Sequence, residues 1–275
     1  MKKNIYIFFQ SNMILLAIIF GLNACANKPA EIVAHRGASF DAPENTIASF
    51  NLAWEQKADA IEGDFFLTKD SAVVCIHDKT TGRLAGEDLS VANSTLAELK
   101  VLDVGAWKGA EWAGERIPTL DEVLVTVPDG KKIFIEIKCG PEILPELRRS
   151  LTDSPLDSDQ IVIISFNKDV IAAVKAQVPA YKAYWLTGFR KDDQSGRWQP
   201  ALGDVISTLK TIGADGLDCR ADDVVDGSFA KAMKEAGMEL HVWTVDDPDK
   251  ARFLQDIGVR SITTNRPEWL RRQLR

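Results

Sequence analysis

The fold is decided by a stretch that begins with Ile-Val-Ala-His-Arg-Gly at residues 32–37 and ends with Ile-His-Asp at residues 76–78. The chain contains only three histidines, and two of them, His35 and His77, lie in this stretch. Each follows a short apolar run of the kind that forms a buried strand. Catalytic groups of α/β sheets and barrels lie at the carboxyl ends of such strands. The two imidazoles are therefore candidates for one shared site.

Two carboxylates lie between these histidines in a further strand-like run. Glu62 and Asp64 are two residues apart, so the period of a strand turns both side chains to one face. Glu136, at the end of the next strand region, can join them. Three carboxylates without a Cys or His partner favour a hard cation, Mg²⁺ or Ca²⁺, over zinc. The alternative is that they form ion pairs with Arg or Lys, which is the commoner fate of an acidic residue.

Beyond residue 30, strand-like and helix-like patterns alternate along the chain. Eight strand regions are counted when residues 60–77 are taken as one region. The part of the chain after residue 24 has close to the ~250 residues typical of a (β/α)8 barrel. A doubly wound sheet alternates in the same way, but no glycine-rich nucleotide-binding turn follows the first strand. We therefore predict an α/β fold, a (β/α)8 TIM barrel, as a single domain at residues 31–275.

One connection breaks this alternation. Residues 79–118 contain polar turns, Trp107, Trp112 and one short helical pattern at residues 96–100, but no long apolar run. Connections of this length are usually functional. We therefore expect this segment, which follows the second strand region, to serve the site.

Four motifs of the opening stretch resemble those of the glycerophosphodiester phosphodiesterase family. They are His-Arg-Gly at residues 35–37, Glu-Asn-Thr at 44–46, Glu-Gly-Asp at 62–64 and His-Asp at 77–78. Later matches are found at residues 114–120, 136–138, 242–244 and 264–267. Each string is short, but their joint order is highly specific, and the resemblance covers essentially everything after residue 30. It implies that residues 79–118 are a small insertion that caps the active-site face of the barrel.

The resemblance also implies a metal site and a catalytic pair. It assigns the metal to the three carboxylates described above, and acid/base catalysis to His35 and His77. An imidazole can accept a proton near pH 7, and its protonated form can donate one, because its unperturbed pKa is ~6.5. Phosphodiester cleavage needs both functions. The third histidine, His241, lies in a strand-like run without a motif, and we expect it to be structural.

Arg36 and Lys138 are the expected phosphate contacts. Arginine offers a planar fork of donors, and lysine offers a compact charge. The alternative is that these two residues pair with Glu44, Glu62 or Asp78, and we expect a mixture of both.

The remaining candidates support the site. Glu44 precedes a helical pattern that Asn45 or Thr46 can cap, so we expect Glu44, like Asp78, to support the charged groups rather than to contact substrate. Trp243 ends its strand-like run, where it forms either an apolar wall for the glycerol or alcohol moiety or part of the core.

These features predict metal-dependent hydrolysis of glycerophosphodiesters to glycerol 3-phosphate and an alcohol. The family mechanism implies a cyclic phosphate, formed by the glycerol hydroxyl next to the phosphate. A phospholipase D-like or C-like enzyme acting on lyso- or intact phospholipids is the alternative within the same fold. A catalytically silent binding lipoprotein of the cell envelope is the alternative from another class. Loss of a catalytic histidine or a metal carboxylate would favour that last alternative, and the sequence retains all of them.

Residues 1–24 have the pattern of a bacterial lipoprotein signal peptide. Lys2 and Lys3 precede an apolar stretch that is shorter than the ~20 residues needed to span a bilayer. Leu-Asn-Ala-Cys at residues 22–25 resembles a lipobox. We expect Cys25 to be acylated and residues 25–30 to form a lipidated tether, so that the protein is exported and anchored at the outer membrane or the periplasmic face of the envelope. Ordinary cleavage nearby, with Cys25 a bystander, is the alternative.

The bulk composition limits the possible partners. The chain is 45% hydrophobic and 27% charged, which suits a globular protein with a substantial core. Its formal charge is −7, and no basic cluster is present in the sequence, which argues against a nucleic-acid partner. An anionic phosphodiester therefore needs local compensation, from a bound cation or from a few basic groups. Cys75, Cys139 and Cys219 lie in or beside apolar runs, and we expect them to be structural.

Overall fold

The computed structural model describes residues 29–275 of the chain. The predicted signal peptide, the lipidated Cys25 and most of the predicted tether lie outside the described residues, so these remain predictions. Within residues 29–275, no helix combines the length and the apolar character that crossing a membrane requires.

Eight parallel strands form a closed barrel, which confirms the predicted (β/α)8 fold. Neighbouring barrel strands follow chain order, and the first strand closes the barrel by pairing with both the second and the last. In chain order the strands are β1 (Glu31–Ala34), β2 (Ala60–Leu67), β3 (Val73–Cys75), β4 (Lys132–Ile137), β5 (Ile161–Ser165), β6 (Lys182–Thr187), β7 (Arg190–Lys191), β8 (Trp198–Gln199), β9 (Gly216–Arg220), β10 (Glu239–Trp243) and β11 (Ser261–Thr264). The barrel excludes β3 and the small antiparallel ribbon of β7 and β8.

Helices connect the barrel strands. In chain order they are α1 (Ile47–Glu55), α2 (Gly82–Ala85), α3 (Leu96–Lys100), α4 (Leu120–Leu124), α5 (Leu144–Asp153), α6 (Lys168–Gln177), α7 (Leu202–Ile212), α8 (Gly227–Glu235), α9 (Pro248–Asp256) and α10 (Pro267–Gln273). Short 3-10 turns are formed by Val91–Asn93, Ala110–Trp112, Pro141–Ile143 and Ser158–Gln160.

The alternation of side chains along the strands separates an outer core from an inner one. In β5, Ile161 and Ile163 pack in the outer cluster with the helices, whereas Val162 and Ile164 pack with Phe134 in the inner cluster. This division follows from the period of two in a strand. It leaves the interior filled with side chains, so the functional site must lie at one mouth of the barrel.

His241 belongs to this interior. It is 4% exposed, and its ring stacks on Tyr184 with 4.2 Å between the ring centroids. Its Nδ1 lies 2.7 Å from Ser261 Oγ. These contacts account for a histidine that helps to pack the barrel.

The strand β3 corrects one detail of the sequence interpretation. Residues 60–77 do not form one strand region, because β3 turns back and pairs antiparallel with the end of β2. The turn between them contains Ser71 with a φ of 65°. The bond from Ile76 N to Asp64 O, at 2.9 Å, continues this pairing toward the barrel. We expected His77 to follow the carboxyl end of a barrel strand. It follows an antiparallel hairpin strand instead.

Residues 79–118 form a layer beside this hairpin, between β3 and α4. Helices α2 and α3 and two 3-10 turns lie in this layer. It has a small apolar core of its own, shared with the hairpin: Phe66, Val74, Ile76, Leu84, Val91, Leu99, Leu102, Val104 and Ile117. Because the end of β2 supports this core, the layer lies at the carboxyl-terminal mouth of the barrel.

Candidate active site

Three acidic side chains meet at the carboxyl-terminal mouth. Glu62 and Asp64 lie on β2, and the parallel register pairs Asp64 with Glu136 of β4. One carboxylate oxygen from each residue lies within 4.8 Å of the others. Glu62 is buried, and the side chains of Asp64 and Glu136 are 1% and 12% exposed. We refer to these three residues as the acidic cluster.

Burial and mutual repulsion dominate the electrostatics of the acidic cluster. Burial, together with the charge of Asp64, raises the pKa of Glu62 well above its ordinary value and that of Glu136 to about 7. Burial would also raise the pKa of Asp64, but Lys138 and Arg36 hold it below its ordinary value. Without a cation, the cluster therefore retains protons close to neutral pH, and cation binding would displace them.

A hard divalent cation fits this donor set. All three ligands are carboxylate oxygens, which Mg²⁺ and Ca²⁺ prefer. Glu62 Oε1 is buried and has no hydrogen-bond partner among the described residues. Such an atom is unfavourable unless a cation or a proton satisfies it. The acidic cluster can therefore bind a metal ion.

His35 directly follows β1 at the same mouth. Its Nδ1 lies 2.7 Å from Asn265 Oδ1, and Asn265 Nδ2 donates to Asp246 Oδ2 at 2.6 Å. Because the amide nitrogen is engaged with a carboxylate, the amide oxygen must accept a hydrogen bond from Nδ1–H of His35. Burial, followed by the charge of Arg36, lowers the pKa of His35 below its ordinary value. The neutral ring therefore carries its lone pair on Nε2, as a general base requires.

His77 reaches the same pocket from the hairpin. Its Nδ1 lies 2.6 Å from Asp78 Oδ1, and Asp78 Oδ2 accepts a hydrogen bond from Arg83 Nε at 2.6 Å. A carboxylate oxygen accepts hydrogen bonds, so Nδ1 of His77 carries a hydrogen in this contact and the carboxylate fixes the orientation of the ring. His77 thus has a carboxylate partner where His35 has an amide. Such differences in environment allow two similar groups to divide acid and base roles.

Arg36 and Asn45 have left-handed backbone conformations beside the acidic cluster, with φ of 56° and 57°. This region is uncommon for residues other than glycine, and such strain is concentrated at functional sites. Arg36 N donates to Glu62 Oε2 at 2.9 Å, and Asn45 Nδ2 donates to Asp64 Oδ2 at 2.8 Å. Thr46 forms the capping box of α1. Two residues of the motif at 44–46 therefore have different roles: Asn45 supports the site and Thr46 caps the helix.

Both candidate phosphate contacts are ion-paired within the site. Lys138 Nζ lies 2.8 Å from Glu136 Oε1 and 3.2 Å from Asp64 Oδ1. Arg36 Nε lies 3.2 Å from Asp64 Oδ2, and its Nη1 lies 3.1 Å from Glu44 Oε1. The two basic groups therefore border the place where a phosphate would meet the acidic cluster.

The partner of Asp78 differs from the expectation. The sequence offered Asp78 to Arg36 or Lys138, but its carboxylate pairs with Arg83 of α2 at 2.6 Å. Arg83 also donates to both oxygens of Glu44, at 2.7 and 3.0 Å. The partner differs because the insertion places a third basic side chain, that of Arg83, between the carboxylates of Asp78 and Glu44.

A cavity of about 180 Å³ lies between the histidines and the acidic cluster. Ile164, Leu186 and Trp243 give it an apolar wall, and Asp218 also lines it. Trp243 packs edge-on against Phe166, with 5.6 Å between the ring centroids. We refer to this cavity as the inner pocket.

A second cavity, of about 540 Å³, adjoins the inner pocket, and we refer to it as the outer pocket. Glu136, Lys138 and Phe166 line both. The remaining walls come from the loops after β4 and β5 and from the insertion, including Lys79. The site therefore has a small inner compartment and a larger outer one.

Sequence reasoning missed four polar residues of this site. Asn45 and Asn265 lie within motifs that carry the family resemblance, so both could have been found there. Arg83 lies in a segment without a periodic pattern and carries no signal in the sequence. Asp218 directly follows a short strand-like run that ends at Leu217, so its position was a signal, although no motif marked it.

Comparison with known proteins gives the family. Residues 35–269 match the model of the glycerophosphoryl diester phosphodiesterase family. A glycerophosphodiester phosphodiesterase of Caldanaerobacter subterraneus is 35% identical over 246 residues, which cover 87% of this chain and 95% of that protein. One of Bacillus subtilis is 30% identical over 253 residues, which cover 86% of this chain and 83% of that protein. A phosphodiesterase of Oleispira antarctica, solved in complex with the product sn-glycerol-3-phosphate, matches with a TM-score of 0.79 and 27% identity over 89% of this chain and 96% of its own. The chain therefore belongs to the glycerophosphoryl diester phosphodiesterase family.

Proposed function

We propose that this protein hydrolyses glycerophosphodiesters to glycerol 3-phosphate and an alcohol. The observation that carries the proposal is the meeting of two histidines, three carboxylates and two basic groups around one small pocket. Phosphodiester cleavage has a use for each of these groups. The product bound to the Oleispira phosphodiesterase supports glycerol 3-phosphate as the product here.

In this proposal Glu62, Asp64 and Glu136 hold one divalent cation, Mg²⁺ or Ca²⁺. Once bound, the cation would supply positive charge to a phosphate oxygen and to an adjacent hydroxyl. Arg36 and Lys138 contact the other phosphate oxygens, because both lie within 3.2 Å of the acidic cluster. The outer pocket, which shares Lys138, receives the alcohol.

In the first step, His35 Nε2 takes the proton from the glycerol hydroxyl next to the phosphate. The hydroxyl oxygen attacks phosphorus, and the bond from phosphorus to the oxygen of the alcohol breaks. His77 donates the proton that this leaving oxygen needs. A cyclic phosphate and the free alcohol result. The attack is intramolecular, a geometry worth ~7–11 kcal/mol in favourable cases.

In the second step, the two histidines exchange roles. His77, now neutral, takes a proton from water, whose oxygen attacks phosphorus. His35, now protonated, returns its proton to the glycerol oxygen as the ring opens. Glycerol 3-phosphate forms, and both histidines regain their initial states. The lowered pKa of His35 and the carboxylate contact of His77 support this assignment of the first base and the first acid.

A phospholipase-like activity on lyso- or intact phospholipids is the second candidate. Phe40 and Phe166 are 54% and 49% exposed and border the mouth, which suits an acylated substrate. However, Arg266 covers the ring of Phe40 at 4.2 Å. The inner pocket, at about 180 Å³, is also smaller than the ~300–1,000 Å³ of sites for drug-sized ligands. These features favour the deacylated substrate. A silent binding lipoprotein is disfavoured, since every catalytic candidate is retained.

We further propose that residues 1–24 are a signal peptide and that acylated Cys25 anchors the protein in the bacterial envelope. β1 begins at Glu31, at the end of the barrel opposite to the site. Residues 25–30 reach at most ~20 Å when extended, so the anchor would leave the site facing away from its own membrane. That orientation suits a water-soluble substrate.

The anchor can be tested by fractionation. Cys25→Ala should move the protein from a detergent-requiring membrane fraction to a soluble or precursor form. Unchanged fractionation, with no loss of acyl mass, would refute the anchor.

The activity itself is tested with a small panel of glycerophosphodiesters, with and without a chelator, by following release of glycerol 3-phosphate. We expect turnover that stops with chelator and returns with excess Mg²⁺ or Ca²⁺. No release from any member of the panel would refute the proposed function, and full turnover in chelator would refute the metal.

A further inference from the structure

Asp218 is a buried carboxyl group that the proposed reaction leaves without a role. It lies on β9, is 1% exposed and lines the inner pocket. Its Oδ1 is buried and has no hydrogen-bond partner among the described residues. Burial, followed by the charge of Glu136, raises the pKa of Asp218 well above its ordinary value.

Such a group is destabilising in the free protein. A buried polar atom without a partner loses its hydration and gains nothing in return. Apolar residues of similar size would fill this position at least as well, as Leu186 does on the neighbouring strand β6, in register with Asp218. The missing partner is therefore expected to come from a bound molecule.

The surroundings of Asp218 indicate which molecule that is. The inner pocket holds about 180 Å³, and its wall beside Asp218 is apolar, formed by Ile164, Leu186 and Trp243. Glu62, Glu136 and the two histidines line the same pocket. A glycerol moiety whose phosphate and neighbouring hydroxyl are held at the acidic cluster has one polar group left, its terminal hydroxyl.

We propose that the carboxyl group of Asp218 hydrogen-bonds the terminal hydroxyl of the substrate's glycerol, and so selects an unacylated glycerol moiety. This inference rests on the proposed function and identifies the terminal hydroxyl as the part of the substrate that the inner pocket recognises. An acyl ester at that position has no proton to donate and needs more room than the pocket offers. A site built to hydrogen-bond a substrate hydroxyl strongly rejects analogues that lack it, because its buried polar group is then left unpaired.

The experiment compares glycerophosphocholine with its terminal deoxy analogue, the phosphocholine ester of propane-1,2-diol, which keeps the attacking hydroxyl. For the wild-type protein we expect kcat/KM to be roughly 10-fold or more lower for the analogue. In Asp218→Val this preference should fall to about 2-fold, chiefly through loss of glycerophosphocholine turnover. Asp218→Asn keeps a hydrogen-bonding group and should retain much of the preference. The exposed Asp204→Asn, a matched acid-to-amide change on α7, should leave it unaltered.

Two further measurements separate the outcomes. The thermal unfolding midpoint of Asp218→Val should equal or exceed that of the wild type, because an unpaired buried carboxyl is removed. The second measurement uses the wild-type protein, so it does not depend on the folding of a variant. Glycerol 3-phosphate should inhibit it more strongly than propane-1,2-diol phosphate. Equal inhibition by the two phosphates, or a substrate preference that Asp218→Val leaves unchanged, would overturn the role of Asp218. Absence of turnover with both substrates would instead overturn the proposed function.

Discussion

Asn265 and His35 are joined by a hydrogen bond of 2.7 Å between the amide Oδ1 and the ring Nδ1. The amide cannot rotate freely, because its Nδ2 donates to Asp246 Oδ2 at 2.6 Å. Asp246 in turn accepts from the backbone N–H of Asn265 and from Thr264 Oγ1. The loop after β11 therefore fixes the tautomer of a histidine that follows β1, the neighbouring strand in the barrel.

Asn265→Leu should lower kcat by about 10-fold or more, because the ring is then free to place its proton on Nε2. The loss should remain smaller than the ~10²–10⁴-fold expected for removing a general acid or base. Ser39→Ala is the matched control, since Ser39 Oγ also donates to Asn265 Oδ1, at 3.1 Å, and this bond leaves Nδ1 of His35 with the same acceptor. Steady-state kinetics and circular dichroism check both variants. Equal kcat for Asn265→Leu and the wild type would show that the amide does not set the tautomer.

The two histidines should be non-redundant. His35→Ala and His77→Ala should each lose ~10²–10⁴-fold in kcat, since one group cannot act as acid and base at the same time. His241→Gln, which changes the histidine of the barrel interior, should keep most of its kcat. Because burial lowers the pKa of His35 and the base must be neutral, the acid limb of kcat/KM should fall below pH ~6.5. Near wild-type turnover in either alanine variant would remove that histidine from the mechanism.

The raised pKa of Glu136 makes stability depend on pH in the metal-free protein. Its pKa of about 7 exceeds the ordinary 4.5, so between these values the folded state binds more protons than the unfolded chain. The stabilising contribution is complete below pH ~4.5 and is lost as the pH rises through ~7. In chelator, Glu136→Gln should therefore unfold at a higher temperature than the wild type at pH 8 and at a similar temperature near pH 4.5.

Cation binding should reverse this order. With excess Mg²⁺ or Ca²⁺ at pH 8, the wild type should gain more stability than Glu136→Gln, because the variant offers a weaker ligand set. The exposed Glu55→Gln is the control and should follow the wild type throughout. Identical thermal unfolding of the wild type and Glu136→Gln, with and without cation, would show that Glu136 affects neither the pH dependence of stability nor cation binding.

The sequence predicts the barrel more completely than it predicts the contacts within the site. The period of two in β2 places Glu62 and Asp64 on one face. Within residues 29–275, Cys75, Cys139 and Cys219 are free and lie in or beside strands as expected. The direction of β3 could not be predicted, because a short apolar run has the same pattern in a parallel or an antiparallel pair.

The contacts made by the insertion could not be predicted from the sequence either. The pairing of Arg83 with Asp78 and Glu44 depends on how residues 79–118 fold over the mouth, and their sequence has no periodic pattern to show it. Asp218 was missed for a different reason, since its position after a strand-like run does not show that its carboxyl group lacks a partner. Both residues became candidates only from tertiary contacts.

The attacking group can be identified with a substrate that lacks it. If the glycerol hydroxyl next to the phosphate is the nucleophile, the 2-deoxy analogue of glycerophosphocholine cannot form the cyclic phosphate. It should therefore not be turned over, yet it should still bind through Arg36 and Lys138 and act as a competitive inhibitor. An enzyme that activates water directly would hydrolyse this analogue and would tolerate acylated substrates.

Release of phosphate ester is measured side by side for glycerophosphocholine, the 2-deoxy analogue and a lysophospholipid. The terminal deoxy analogue is the matched control, because it keeps the nucleophile and loses only the hydroxyl assigned to Asp218. We expect slow turnover of that control and none of the 2-deoxy compound. Comparable turnover of the two would eliminate the neighbouring-hydroxyl mechanism. A preference for the lysophospholipid would instead favour the phospholipase-like activity, because the inner pocket would then have to open around an acyl chain.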